Sequence, residues 1–451
     1  MSQAAAENRG WRRALAAYRE PAVAGMLFLG FSAGLPFPLV FATLSRWLSE
    51  AGVSLHTIGL FSFAGLAWGF KFVWAPLVDR MPLPILGALL GRRRAWMLLA
   101  QVCIAAGLAG MAFTDPGTDL WTMALCATIV AFASATQDIA IDAWRIEIAP
   151  QEAQGALAGA YQLGYRIALF AAGAGVFLLV DAVDGDGGWM IGYLAMVGLM
   201  VVGVVTTFCV REPTPRIDAE TEAREARLAA KTGRSAIGRA LAWFGNAVIN
   251  PFVDFFARNG WSALLILAFI GCYWMSDRVW AVMAQPFYFQ LGFSKTEIAI
   301  VSKSYGIALS IAGALAGGAI IARFGVGRPL VLCTVLMAAT NLMFAFLALH
   351  GKDTTLLVLV ISGENLASGL AGTALIAYLS GLTNVNYTAT QYALFSSFMA
   401  LPGKLLAGAS GWIVEAIGFP LFFVYTAAMG VPAIVLALIL LRRRNTAPAP
   451  R

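Results

Sequence analysis

Residues 188–210 read GWMIGYLAMVGLMVVGVVTTFCV, without one charged side chain. Roughly 20 mostly apolar residues are what an α-helix needs to cross the hydrocarbon core of a bilayer. Outward from this stretch the same pattern recurs near 22–45, 57–78, 95–113, 120–143, 154–180, 261–290, 297–321, 329–349, 354–380, 389–414 and 420–441. Backbone polar groups cannot go unpaired in lipid, so each stretch is predicted to be a helix. The composition points the same way: 60% of the 451 residues are hydrophobic and 12% are charged, too few to cover a soluble globule. The expected fold class is an all-α polytopic membrane protein with twelve transmembrane helices.

The net charge of +7 is not spread as a nucleic-acid binder would spread it. Arg9, Arg12, Arg13 and Arg19 precede the first helix, Arg80 and Arg92 to Arg94 follow the second, and Arg145 follows the fourth. Further arginines and Lys231 fill the loop after Arg211; Arg323 and Arg328 follow the eighth helix, and Arg442 to Arg444 the twelfth. On an alternating path all of these fall on one side. The positive-inside rule assigns that side, with both termini, to the cytoplasm. Nucleic acid is excluded as a partner. The five cysteines lie inside predicted helices without a Cys-x-x-Cys pair, and the only histidines are His56 and His350, so neither a metal site nor a cofactor is expected.

The central loop splits the chain into related parts: a cytoplasmic segment 1–21, a six-helix bundle 22–210, a linker 211–260, a second six-helix bundle 261–441 and a tail 442–451. Within the linker, Ile237, Leu241, Phe244, Val248, Phe252 and Phe255 recur at helical spacing, which suits an amphipathic helix on the membrane surface as well as a plain connector. Each bundle repeats one signal between its second and third helices: Ala75-Pro76-Leu77-Val78-Asp79-Arg80 with Gly91-Arg92-Arg93-Arg94 in the first, and Gly318 to Arg323 with Gly325-Val326-Gly327-Arg328 in the second. Both resemble the Gly-x-x-x-Asp-Arg-x-Gly-Arg-Arg loop of the major facilitator superfamily. Ala75 replaces the first glycine and Ala322 the second aspartate, so the ion-pair latch is expected to be weaker in the second half. Asp79, Arg80, Arg92, Asp142, Arg145 and Arg323 are the expected cytoplasmic gate.

Charges inside the membrane are costly and mark function by default. Lys71, Asp138, Asp142, Arg166, Asp277, Arg278, Lys303, Glu364 and Lys404 fall away from predicted helix ends. At 1.5 Å per residue, Glu364 lies about 15 Å into its helix. Asp138 and Glu364 are the candidate proton carriers; each could instead be a structural ion-pair partner. The candidate cargo contacts are Lys71, Gln137, Tyr165, Arg166, Trp274, Arg278, Lys303, Asn365, Gln391 and Lys404, whose basic excess suits an anionic or zwitterionic cargo. Gly34-Leu35-Pro36 with Pro38, Pro286 and Pro402-Gly403 interrupt helices where a cavity or hinge would need it.

With these residues in view, the chain resembles the AmpG-type muropeptide permeases of Gram-negative bacteria, a branch of the major facilitator superfamily, from about Gly25 to Leu441. The resemblance rests on Gly30-Phe31-Ser32-Ala33-Gly34-Leu35-Pro36, Phe70-Lys71-Phe72-Val73-Trp74, Thr136-Gln137-Asp138 through Asp142-Ala143-Trp144, Gly164-Tyr165-Arg166, Val301-Ser302-Lys303, Glu364-Asn365-Leu366 and Ala389 to Leu394. It implies a rocker-switch importer of N-acetylglucosaminyl-1,6-anhydro-N-acetylmuramyl peptides, driven by protons across the inner membrane, with those wall fragments also inducing β-lactamase in some bacteria. It implies no catalysis and no partner beyond cargo, protons and lipid; a monomer suffices. The alternatives are an acetyl-coenzyme A transporter-like carrier or an exporter of amphipathic drugs. A membrane enzyme acting on lipid-linked sugars is a third, against which no catalytic carboxylate or metal-ligand cluster is found.

Overall fold

A computed structural model describes residues 17–183, 187–214, 249–384, 387–407 and 409–446; side chains at a few helical positions, Lys303 and Lys404 among them, lie outside the described set. The helices are α1 (Pro21–Glu50), α2 (55–80), α3 (Arg92–Ala112), α4 (Leu120–Ile148), α5 (Gln151–Asp181) and α6 (Gly188–Cys209), then α7 (Ser262–Gln290), α8 (Ile300–Phe324), α9 (Gly327–His350), α10 (Thr354–Leu382), α11 (Thr388–Ala407) and α12 (Ser410–Arg443). All but α2 and α11 are long and apolar enough to cross a bilayer. Those two fall where the second and eleventh crossings are expected.

Local chemistry explains the ends and breaks. Asp119 and Asp353 accept from the backbone N–H of Thr122 and Leu356 at 3.0 Å each, capping α4 and α10. Ser294 and Glu297 form a reciprocal capping box before α8, the Ser294 N–H donating to Glu297 at 2.7 Å and the Glu297 N–H to the Ser294 hydroxyl at 3.1 Å. Gly418, at φ 72°, turns the chain inside α12 two residues before Pro420. In α2 the helical pieces Leu55–Phe61, Leu66–Phe70 and Ala75–Arg80 are joined by tighter 3₁₀ turns, one of which, Lys71–Val73, holds a buried lysine. Pro76 has no N–H to return to the preceding turn. Helix α7 breaks at Trp274 and again after Ala281.

Two apolar clusters fill the first half and two the second. One first-half cluster takes in Ala389 and Ala393 of α11, so the halves share packing at one end. That end carries Arg92, Arg93, Arg145, Arg258 and Arg442, and we call it the basic end. Of the linker, residues 215–248 lie outside the described set, and with them most of the expected amphipathic helix. A helix at 249–259 is present, its Phe255 buried edge-on against Phe395 of α11 with ring centroids 5.0 Å apart. The N-terminal segment before residue 17 also lies outside the description.

Candidate functional site

The halves are held together at the basic end by three kinds of contact. The first is electrostatic. Asp79, at the end of α2, is 3% exposed and accepts from the backbone N–H of Ala389 (3.0 Å) and Thr390 (2.8 Å) and from the Thr390 hydroxyl (2.7 Å). These donors open α11, whose positive helix end favours a carboxylate. Arg93, 1% exposed, holds Asp79 from behind at 2.8 Å, pairs with Glu147 of α4 and donates to the Val78 carbonyl at 3.0 Å. Arg92 donates to the Asp79 carbonyl at 2.5 Å. Arg80 lies over the Tyr387 ring at 5.6 Å.

The second is a polar tether. Arg145 of α4 is fully buried, paired with Asp142 at 3.2 Å, and crosses to α10 to donate to the Ser380 hydroxyl at 2.7 Å, with its guanidinium 5.1 Å above the Tyr392 ring. Gln151 donates to the Ala377 carbonyl at 2.9 Å and Tyr18 to the Leu315 carbonyl at 2.7 Å. The third is close helix approach. A Cβ built on Gly155 of α5 would lie 3.1 Å from the Gly318 carbonyl of α8, and one on Gly318 would lie 2.8 Å from the Gly155 carbonyl. Small residues of this kind let membrane helices pack backbone to backbone. Here Ala322 stands where the first half has Asp79, and the seam beside it closes by packing; Arg323 is 5.2 Å from its neighbour Phe324. At the opposite end the described residues give no hydrogen bond or ion pair between the halves.

Between the closed end and that opposite end lies a cavity of about 330 Å³ shared by both halves. Gln162 and Arg166 of α5 face Trp274, Asp277 and Arg278 from the broken middle of α7, with Ser310 of α8 and Ser368 of α10. Non-helical backbone at membrane depth is tolerated where it lines such a cavity, which is what the α7 breaks achieve. Arg166 acts electrostatically on both Asp277 and Glu364, and Arg278 on Asp277, so the four form one charged neighbourhood. Larger hollows, of about 750 and 660 Å³, lie on flanks lined by exposed apolar residues such as Phe28, Val201, Phe63 and Phe132, surfaces that a bilayer covers.

The predicted residues therefore divide. Arg166, Trp274 and Arg278 meet in the cavity. Glu364 is a partly buried neighbour, its carboxylate taking a 2.5 Å hydrogen bond from Asn365, which also donates to the Ile361 carbonyl at 3.1 Å. Lys71, Asp138, Asp142 and Tyr165 gather between the cavity and the basic end, Tyr165 with its ring 5.9 Å from Tyr161. Two predicted cargo contacts are placed elsewhere. Gln137 is fully buried inside the first half, hydrogen-bonded to Ser32 of α1 at 3.2 Å. Gln391 is fully buried at the basic end, where it donates to the Pro251 carbonyl and to Asp254 at 2.9 Å each and accepts from Arg258 and the Asn384 N–H. It fastens the linker helix to α11. The Lys303 and Lys404 side chains lie outside the described residues. Gln162, Ser310, Ser368 and Arg93 are not among the site residues the sequence points to; Arg93 sits in a run of three arginines that spacing alone does not separate.

Comparison with known proteins follows the same division into halves. The Major Facilitator Superfamily profile matches residues 264–451, and that of acetyl-coenzyme A transporter 1 matches residues 23–212. The anhydromuropeptide permease of Escherichia coli K12 is 34% identical, over 94% of this chain and 80% of the permease. The putative transporter AmpG 4 of Rickettsia felis is 31% identical, over 93% of this chain and 96% of its own length. Among solved structures, the proton:xylose symporter XylE aligns with a TM-score of 0.66 at 14% identity, covering 93% of this chain and 94% of its own. FucP, solved in the outward conformation, gives 0.66 at 13% identity, covering 94% and 99%. The solved structures bear on the fold alone.

Proposed function

The chain belongs to the AmpG branch of the major facilitator superfamily, and from that premise we propose that it imports anhydromuropeptides from the periplasm to the cytoplasm of a bacterium, driven by protons. The observation that carries the reading is kinship along nearly the whole chain to a permease named for that cargo. The cavity supports it chemically. Arg166 and Arg278 offer planar, permanently charged donors to the carboxylates of a peptide stem, and Trp274 offers a flat face to a sugar ring. The cavity takes one end of such a cargo, and the rest extends toward the open end.

The basic end faces the cytoplasm in this reading, as the positive-inside rule requires of an inner-membrane protein. The conformation is then outward-facing, sealed on the cytoplasmic side by Asp79, Arg145 and the α5–α8 crossing. Rocking of the bundle 22–210 against 261–441 would break that seal and form another at the periplasmic end. Asp138 and Glu364 are the acids that carry the proton, and one polypeptide contains the whole pathway. The match of residues 23–212 to the acetyl-coenzyme A transporter profile favours a second reading, a carrier of that cofactor, whose phosphates would suit the same arginines.

The experiment is uptake of labelled N-acetylglucosaminyl-anhydro-N-acetylmuramic acid into proteoliposomes, with and without an inward proton gradient. Uptake stimulated by the gradient, and lost in Asp138→Asn or Glu364→Gln, is the expected result. Folded protein that takes up acetyl-coenzyme A and not the disaccharide would overturn the reading in favour of the second.

A further inference from the structure

Lys71 lies beside two carboxylates of α4 that are one helical turn apart. Its Nζ is 3.9 Å from Asp142, and it acts electrostatically on Asp138. Asp142 holds Arg145 at 3.2 Å, and Arg145 reaches Ser380 of the other half at 2.7 Å. Asp138, Lys71, Asp142 and Arg145 thus make an unbroken row of alternating charge, from the level of the cavity to the tether that closes the basic end.

The row has a weak point. Asp138 Oδ1 is sealed from solvent and accepts no hydrogen bond; Ser134, one turn earlier on the same face, also has a buried hydroxyl without a partner. So has Ser397, on the face of α11 that sends Ala389 and Ala393 into the first half. A carboxylate oxygen without a donor in a buried seam is costly as an anion, and a proton on Asp138 removes that cost. The groups acting on Asp138 and its immediate neighbours are Lys71 from α2, Asp142 and Arg145 from α4, Tyr161 and Tyr165 from α5 and Tyr392 from α11, with Arg166 of α5 and Arg278 of α7 acting on Tyr165 from the cavity side; Trp68 is a further contact. The phenols are neutral, so Lys71 is the cation that answers a change on Asp138.

We propose that Lys71 is the switch of proton coupling: when Asp138 takes up a proton, Lys71 passes wholly to Asp142, which loosens its hold on Arg145 and frees the Arg145–Ser380 tether. The proton enters from the open end and binds Asp138. The row passes from neutral to one net positive charge. This inference deepens the proton-driven reading above and rests on it. Lys71 is a positioning residue in it and touches no cargo.

The test reads the gate without cargo. Spin labels replace Leu60 of α2 and Leu405 of α11, both exposed toward the open end, in a chain whose five native cysteines are substituted. Their separation is measured in proteoliposomes from about pH 8 to about pH 5, the span across which a coupling acid must titrate. The parent is expected to shift toward the shorter separation as pH falls, by about tenfold in the ratio of states. Lys71→Gln is expected to abolish the pH dependence and Lys71→Arg to restore it. Asp138→Asn should show the low-pH distribution at every pH, which keeps the idea testable if Lys71→Gln fails to fold. A Lys71→Gln or Asp138→Asn protein that follows the parent curve overturns the switch while leaving gradient-driven import untouched. A parent gate indifferent to pH overturns it too, whereas the import reading stands or falls by uptake.

Discussion

The carboxylate of Asp79 and the first turn of α11 at Thr390 are 311 positions apart in the chain and meet through two hydrogen bonds, one from the Thr390 N–H and one from its hydroxyl. A helix in one half is therefore capped by an acid from the other. The cap exists only while the basic end is shut. Each bond to a charged acceptor is worth about 1.5–3 kcal/mol net, and Asp79 keeps Arg93 as a partner inside its own half whichever way the halves tilt. Only the α11 bonds bias the equilibrium. Asp79→Ala is expected to raise the open fraction at the basic end about ten- to a hundredfold. A cysteine at Ala393, 1% exposed in the closed state, should become reactive toward a thiol reagent by that factor.

Glycines at two helix crossings should fail in different ways. A Cβ on Gly318 would lie 2.1 Å from the Tyr18 hydroxyl and 2.8 Å from the Gly155 carbonyl, a contact between halves. One on Gly164 would lie 1.9 Å from the Leu27 carbonyl, within the first half. Overpacking costs about 1–3 kcal/mol. Gly318→Val is expected to keep the parent melting temperature and hold the basic end open, whereas Gly164→Val is expected to lower the melting temperature. Thermal unfolding in detergent, paired with reactivity of the Ala393 position, separates the two.

Arg166 is the first half's charged contribution to the cavity. Arg166→Gln should weaken cargo by about 1.5–3 kcal/mol, an increase of roughly tenfold or more in the KM for uptake. With a cargo whose carboxylates are amidated, parent and variant should converge. A loss of equal size on both cargoes would assign Arg166 to holding Asp277 and Glu364 instead.

The turn before α8 carries a pH dependence of its own. The Ser294 N–H, with the Lys352 ammonium 3.1 Å away and the Ser294 hydroxyl, holds Glu297 down at about 2, against an ordinary 4.5. A carboxyl lowered by folding contributes stability that is complete above its unfolded value and is lost as pH falls through the folded one. Glu297→Gln should therefore speed amide exchange across residues 292–298 at neutral pH. The gap between parent and variant should narrow from about pH 4.5 downward and close near pH 2.

Much of the architecture was legible because lipid leaves so few options: uncharged runs of spanning length must be helices, and the arginines mark one side. The Gly34-Leu35-Pro36 region shows the limit of that logic, since the sequence places an interruption there but not its form, and the break of α7 at Trp274 has no proline to announce it. Helix α2 reads as one run, 57–78, yet it folds as short helical pieces around a buried Lys71. Gln391 and Gln137 read alike in the sequence, yet the fold gives them different partners. A polar side chain on an apolar helix looks alike whether its partner is cargo, the linker at Pro251 or Ser32 on a neighbouring helix. Only the fold distinguishes them. Arg166, Trp274 and Arg278 line the cavity, where charge and a broken helix coincide.

The substitution that puts Ala322 where the first half has Asp79 leaves the two seams of the basic end with unlike chemistries. Among the described residues one is charged and directional; the other is chiefly a fit of surfaces, joined by the Tyr18–Leu315 hydrogen bond. A directional seam comes apart at a defined extension and can be reached by a proton, whereas a packed seam yields gradually and answers to the pressure and thickness of the surrounding lipid. The two halves should therefore not part like a book opening evenly along its spine. The α5–α8 side can slide while the α2–α11 side still holds, and the bundle would swing about its charged edge as a leaf swings on a single hinge.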